Sequence, residues 1–419
     1  MTIKHLFPVA KPTLDLNFAA ERTLGPRITF TRSSIGTYMD AAGILRYAAE
    51  DEPRFDYSST GESLGLLIEE ARVNVVKANT TGSDAGWEYG EESTEVQPPT
   101  GGTNSVRKGG SLKLKNNNLT APSETYQAWI TMFVNTASWS RFAFRTITGS
   151  TNYFFFDLSG PTPRIEEKQG NNIITDVNPQ RYICEQLANG WWRIGYRNWN
   201  SIDFGYRQLW RFDWDENDEP IIINNFPAGA PANTFIYAWG GQMEIGANAS
   251  SFIPNTGTNS ITRAADICSI EGDNFSSWYN QSEGTILVDV SYLGLPDNTT
   301  LQNSFSFQTS NSGPRTTLTA YGANSRMRVR ADTDGNVYPG DTFSVTKPRK
   351  CAVGYKINDL NFTFNGSRLG TDTSYTPTTS LNRLVLDTGY GGSPSSKRIA
   401  RLSYYPRRLS DEQLQALTA

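Results

Sequence analysis

Trp191, Trp192, Trp199, Trp210 and Trp214 crowd one stretch of the chain, interleaved with Arg193, Arg197, Arg207 and Arg211. An exposed indole stacks on the C–H face of a sugar ring, and a guanidinium pairs with an acidic glycan. Trp191, Trp199, Trp210 and Trp214 are therefore candidate carbohydrate-binding residues. The same spacing also suits a core in which alternate aromatics point inward. Nearby, Asp213, Asp215 and Asp218, with Glu216 and Glu219, form an acidic run whose oxygens suit Ca²⁺. The run lacks the mid-loop glycine and closing glutamate of an EF-hand, so a solvated turn is the alternative. Arg326, Arg328 and Arg330 alternate with Met327, Val329 and Ala331, which puts three arginines on one face of a strand. Such a stripe suits an anionic polysaccharide or an acidic neighbouring subunit; the alternative is solvated charge on an edge strand.

The single histidine is His5, close to the chain start. The body of the chain therefore has no Ser-His-Asp or Cys-His device and no His-ligated metal site. Cys184, Cys268 and Cys351 are far apart and form no CxxC motif, so they read as free buried thiols. A glycosidase needs only a pair of carboxylates, but no spacing singles out a pair. The expectation is a protein that is not an enzyme, with no catalytic residues and no cofactor. Ca²⁺ at the acidic run is the one metal in view.

These residues must be positioned by strands. The chain has 419 residues, 12% aromatic and only 19% charged, the balance of a turn-rich all-β protein. Tyr126–Val134, Arg141–Thr146, Tyr153–Phe156, Trp191–Trp199 and Phe235–Ile245 read as strands, the fourth after an Asn189-Gly190 hairpin turn. Thr285–Tyr292 alternates, with Ile286, Val288, Val290 and Tyr292 on one face. Near the end, Ser410 and Gln413 make a capping box, and Leu409 and Leu414 a hydrophobic staple, for one short helix. The expected units are residues 1–80, 81–262 and 263–419. A net charge of −4 argues against nucleic acid as a partner. No apolar run approaches the roughly 18 residues of a membrane span, and none near the start has signal-peptide length.

Four sets of residues carry a resemblance. The Ile399–Tyr405 strand, the Pro406 stop and the stapled helix resemble the close of a concanavalin A-like β-sandwich of laminin G or pentraxin type. The stretch from Phe30 to Leu45, then Pro53-Arg-Phe-Asp-Tyr and Gly61-Glu-Ser-Leu-Gly-Leu-Leu-Ile-Glu-Glu-Ala-Arg-Val-Asn, resemble the N-terminal module of many bacteriophage tail, fibre and head-spike proteins. Trp239-Gly-Gly-Gln-Met-Glu-Ile-Gly, Ser251-Phe-Ile-Pro-Asn-Thr and Thr262-Arg-Ala-Ala-Asp266 are similar to the segment closing their first sandwich. The Pro406–Ala419 ending is similar to their C-terminus. The resemblance implies an all-β chain of two concanavalin A-like or jelly-roll sandwiches behind a small virion-attachment module. It implies a virion protein, made in the host cytoplasm and exposed on the particle, that adheres to host cell-surface polysaccharide. Its partners would be other virion proteins and copies of itself, a trimer among the options, with no membrane insertion. The alternatives are a decoration of capsid, neck or tail without sugar ligand, and a glycan-degrading tailspike enzyme.

Overall fold

The alternating stretch around Val288 becomes the Gly284–Tyr292 strand, near the centre of an eight-stranded antiparallel sheet. The computed structural model describes residues 11–114, 128–145, 152–198, 208–223, 235–246, 248–293, 301–310, 315–321, 326–331, 336–342, 349–386 and 396–419. Among these the protein is all-β, built as two sandwiches. Ile286, Val288, Val290 and Tyr292 all face inward, as their period of two requires. They meet Phe305, Leu318 and Leu384 from a facing seven-stranded sheet. The capping box is present: Ser410 Oγ accepts from Gln413 N at 3.3 Å, and Gln413 Oε1 accepts from Ser410 N at 3.0 Å. Leu414 docks the helix on Leu287, Ala352 and Tyr405.

Residues 11–74 form no separate module. Leu14–Leu16 and Ser63–Ile68 pair with Lys397–Tyr405, Arg54–Tyr57 extends the same sheet, and Thr29–Thr31 pairs with Ile267–Glu271 in the facing one. The expected boundary at residue 80 thus separates strands that share sheets. The physical reason is core size: so few residues cannot bury enough apolar surface alone, and Leu14, Leu16, Phe18, Leu66 and Ile68 join the core of the C-terminal strands.

The second sandwich is an insertion into this enclosing one. The chain leaves along Arg72–Asn74 and returns along Ile261–Arg263, paired antiparallel as a two-stranded ribbon. Between them a six-stranded sheet faces a seven-stranded one. Ile130, Met132 and Ile194 of the first meet Phe142, Phe154, Phe156 and Leu209 of the second. Asn189 and Gly190 both have positive φ, 56° and 76°, and turn the hairpin into Trp191–Asn198.

A buried ion network ties the two sandwiches together. Arg54 donates to Glu69 at 2.7 Å and to Asp266 at 2.5 Å, Arg32 donates to Asp266 at 3.1 Å, and Arg263 donates to Glu69. All five side chains are fully buried. Ser251, from the inserted sandwich, donates to Glu69 through both N at 2.7 Å and Oγ at 2.6 Å. Burial would raise the Glu69 pKa, but Arg263, Arg54 and Ser251 hold it well below the usual carboxylate range. Residues from 32 to 69 and from 251 to 266, far apart in sequence, meet here.

Candidate ligand-binding face

The outward face of a sandwich sheet is ordinarily polar. The seven-stranded sheet of the inserted sandwich departs from that rule. Gln208–Trp214, Arg141–Arg145, Tyr153–Asp157 and Arg164–Gln169 lie side by side. Leu209, Phe142 and Phe154 turn to the core, so Trp210, Phe212, Trp214, Ala143, Tyr153 and Phe155 turn away from it. Ring centroids run from Tyr153 to Phe155 at 5.7 Å, Phe155 to Phe212 at 4.9 Å, and Phe212 to Trp214 at 5.1 Å. Phe155 and Phe212 form the buried floor of this strip. Tyr153, Trp214 and Trp210 are its partly exposed surface. Trp210 stands beside Ser111 and Ala143 in register, and its indole nitrogen is buried.

A charged rim borders Trp214. Its indole N–H donates to Asp157 at 2.7 Å, and the Arg164 guanidinium lies 3.7 Å from its ring centroid. Arg141 bridges Asp157, at 3.1 Å, and Asp213. Arg164 in turn reaches Glu166 at 2.7 Å and Asp218 at 2.8 Å. Burial would raise the Asp157 pKa, but bonds from Ser159 and Trp214 and the Arg141 charge bring it below the ordinary value. The bond to Asp218 raises the pKa of Arg164. The rim therefore keeps both signs of charge at neutral pH, beside flat apolar rings. Such a surface can stack sugar rings and exchange hydrogen bonds with their hydroxyls.

The expected site residues divide. Trp210, Trp214, Asp213 and Asp218 come together on this face. Trp191 does not: it is 1% exposed, packs with Phe133, Trp239 and Phe252, and donates its indole N–H to Gln97 O at 2.8 Å. It is a core residue, and so is Trp192. Trp199 lies outside the described residues. The acidic run is a turn and not a metal cage. Asp215 Oδ1 accepts from Asn217 N and Glu219 N, Asp213 serves Arg141 and Trp214 N, and Asp218 serves Arg164. Among the described residues no group of three or more His, Cys, Asp or Glu is placed to hold a metal. Arg326, Arg328 and Arg330 lie on a strand with partners on both sides, opposite Tyr321, Thr319 and Thr317 on one of them, so it is not the edge strand of the alternative reading. Their side chains lie outside the described part of the structure.

Sequence reading missed Tyr153, Phe155, Phe212, Arg141, Asp157 and Arg164 as parts of this face. One signal was available: two aromatics at alternate positions, Tyr153 and Phe155, sit on the face opposite core Phe154 and Phe156. Among the described residues no helix is long and apolar enough to cross a membrane.

No family model matches the sequence, and no curated protein matches it. Solved structures resemble about a third of the chain. The carbohydrate-binding module CBM40 of the Ruminococcus gnavus IT-sialidase, bound to α2,3-sialyllactose, is 16% identical with a TM-score of 0.30, over 35% of this chain and 88% of that one. Domain 4 of AbnA, an extracellular arabinanase from Geobacillus stearothermophilus, in complex with arabinotriose, is 14% identical with a TM-score of 0.31, over 37% of this chain and 73% of that one. The NanB sialidase of Streptococcus pneumoniae is 13% identical with a TM-score of 0.27, over 35% of this chain and 26% of that one.

Proposed function

We propose that this chain is a glycan-binding adhesion protein and that the outer aromatic face of the inserted sandwich is its binding surface. The observation that carries the reading is the strip Tyr153–Phe155–Phe212–Trp214 with its Arg141, Asp157 and Arg164 rim. Tyr153 and Trp214 leave partly exposed aromatic surface over buried Phe155 and Phe212, and exposed apolar surface on a sheet face can serve as an interaction site. The resemblance of Phe30–Leu45, Pro53–Tyr57, Gly61–Asn74, Trp239–Gly246, Ser251–Thr256, Thr262–Asp266 and Pro406–Ala419 to phage structural proteins supports the finer reading. In it the protein is an exposed fibre, spike or decoration that contacts other virion proteins and host polysaccharide. An oligomeric particle component would gain avidity from many weak sites. The role is binding without catalysis.

Glycan-array binding and calorimetry on the wild type and on Trp210→Ala and Trp214→Ala test this. Each substitution is expected to weaken binding of a host glycan about tenfold, with unfolding temperature little changed. Undiminished binding by the double variant would remove this face from the function. A wild type that binds no glycan favours the decoration role, and release of reducing ends from host capsule favours an enzyme.

A further inference from the structure

The outer aromatic face of the inserted sandwich changes in charge along its strands. At the Trp214 end, Arg141, Asp157 and Arg164 stand opposite one another in register. That row is balanced, since Arg141 serves Asp157 and Asp213 while Arg164 serves Glu166 and Asp218. At the other end, Tyr153 stands in register between Arg145 and Lys168. This second row carries two cations and no carboxylate. Four residues of strand, roughly 13 Å, separate the two rows.

Lys168 is half-buried and makes no ion pair among the described residues. The carboxylates next to it on its own strand are already engaged. Glu166 is held by Arg164 at 2.7 Å, and Glu167 accepts from Arg181 at 2.9 Å. Residues 146–151, which follow Arg145 and lead to Tyr153, contain no Asp or Glu. The row sits on strands, and their ends are tied: Gly170 N donates to Asn152 Oδ1 at 2.7 Å. Tyr153 is partly exposed and stacks on Phe155, with ring centroids 5.7 Å apart and planes at 29°. The strands bearing Arg145 and Lys168 lie about 10 Å apart, one on each side of Tyr153. A single anion over the Tyr153 ring therefore falls within a Debye length of both cations. A flat ring between two cations can stack the C–H face of a sugar and pair with its carboxylate. The balanced row suits hydroxyls instead, because its ions neutralise one another.

We propose that the outer face selects acidic glycans. A sugar bearing a carboxylate stacks on Tyr153 with that carboxylate at Lys168, and further sugars of the same chain run towards Trp214. The inference rests on the glycan-binding reading of this face and adds the class of its ligand.

The test is calorimetric titration of the full chain with trigalacturonic acid and with 3′-sialyllactose, each compared with its carboxyl methyl ester, at low and at high salt. The two acids separate a uronic from a sialic carboxylate, and the esters remove only the charge. At least one acid is expected to bind about tenfold tighter than its ester, with the advantage shrinking at high salt. Lys168→Gln should abolish most of that advantage and Lys168→Arg should keep it, with the unfolding temperature of both variants unchanged. Equal affinity of acid and ester, or an acid advantage that survives Lys168→Gln, overturns the inference. If acid and ester bind equally and Trp214→Ala weakens both, the outer face stands as a neutral-sugar site. No binding of any of the four sugars also removes the acidic class, while a neutral glycan bound on the array and weakened by Trp214→Ala keeps the face. An acid advantage that depends on Lys168 but not on Trp214 keeps the cationic row and takes the Trp214 end out of the site.

Discussion

Glu69 shows what single residues carry in this molecule. It is fully buried among Arg54, Arg263 and Ser251, and its removal leaves guanidinium charge uncompensated in the interior. Glu69→Ala should destabilise by about 3–5 kcal/mol, measured by urea unfolding. The pH dependence follows from the depressed carboxyl. A carboxylate whose folded pKa lies below its unfolded one, about 4.3, contributes fully above that value. The contribution is lost as pH falls towards the folded pKa. Wild-type stability should therefore drop on acidification below about pH 4.5, while Glu69→Gln, with no charge to lose there, should show a flatter profile. Equal slopes for the two would take Glu69 out of the acid response. On the outer face, Trp214 and Asp157 are the pair to watch. The Asp157 carboxyl, held below its ordinary pKa, stays charged through mild acid, so glycan binding should be flat from neutral pH to about pH 5.

At the scale of elements, the join between Ser63–Ile68 and Lys397–Tyr405 is the sensitive one. Gly65 has φ +89°, and a Cβ built there would lie 2.1 Å from Ile399 O and 2.7 Å from Ala400 Cα. Both conformation and space require glycine, so the strands must part to admit a methyl group. Gly65→Ala should cost roughly 3 kcal/mol or more. Gly170→Ala is the control: φ is +63° but nothing lies within 4 Å of the added atom, so about 1 kcal/mol of backbone strain is expected. Matched losses in the two variants would mean that the strand join tolerates the methyl. The C-terminal helix offers a gentler probe. Ser410→Ala removes one half of its capping box and should cost about 1 kcal/mol, less if Leu414 alone holds the helix on Tyr405 and Ala352.

For the whole molecule, the insertion decides which pieces can stand alone. A fragment of residues 70–265 keeps both sheets of its sandwich and its closing ribbon. It should unfold cooperatively, at lower stability for want of the enclosing contacts. Residues 266–419 lack Leu14–Leu16, Arg54–Tyr57 and Ser63–Ile68, and with them part of the core. That fragment should aggregate or show no cooperative transition, and it should fold once residues 11–69 are joined to it through a short linker. Removing residues 1–80 should likewise unfold the enclosing sandwich. A cooperative melt from residues 266–419 alone would show that the N-terminal strands only decorate that sandwich.

Local devices were legible in the sequence because they act within a few residues. The alternation of Ile286, Val288, Val290 and Tyr292, the Asn189-Gly190 turn and the Ser410–Gln413 box each appear as expected, since strand faces repeat every second residue and a cap spans one helical turn. All-β architecture followed from many such signals. The fates of the tryptophans did not. Trp191 and Trp214 sit in equally aromatic surroundings in sequence, yet Trp191 is sealed by Trp239 and Phe252 while Trp214 stays partly open. Which face of a sheet is covered depends on what packs against it, and that partner comes from elsewhere in the chain. The same limit hid the buried ion network: Arg32 and Asp266 are 234 residues apart, and each alone reads as ordinary charge. Only folding brings them together, because burying a guanidinium demands a carboxylate wherever the chain can supply one.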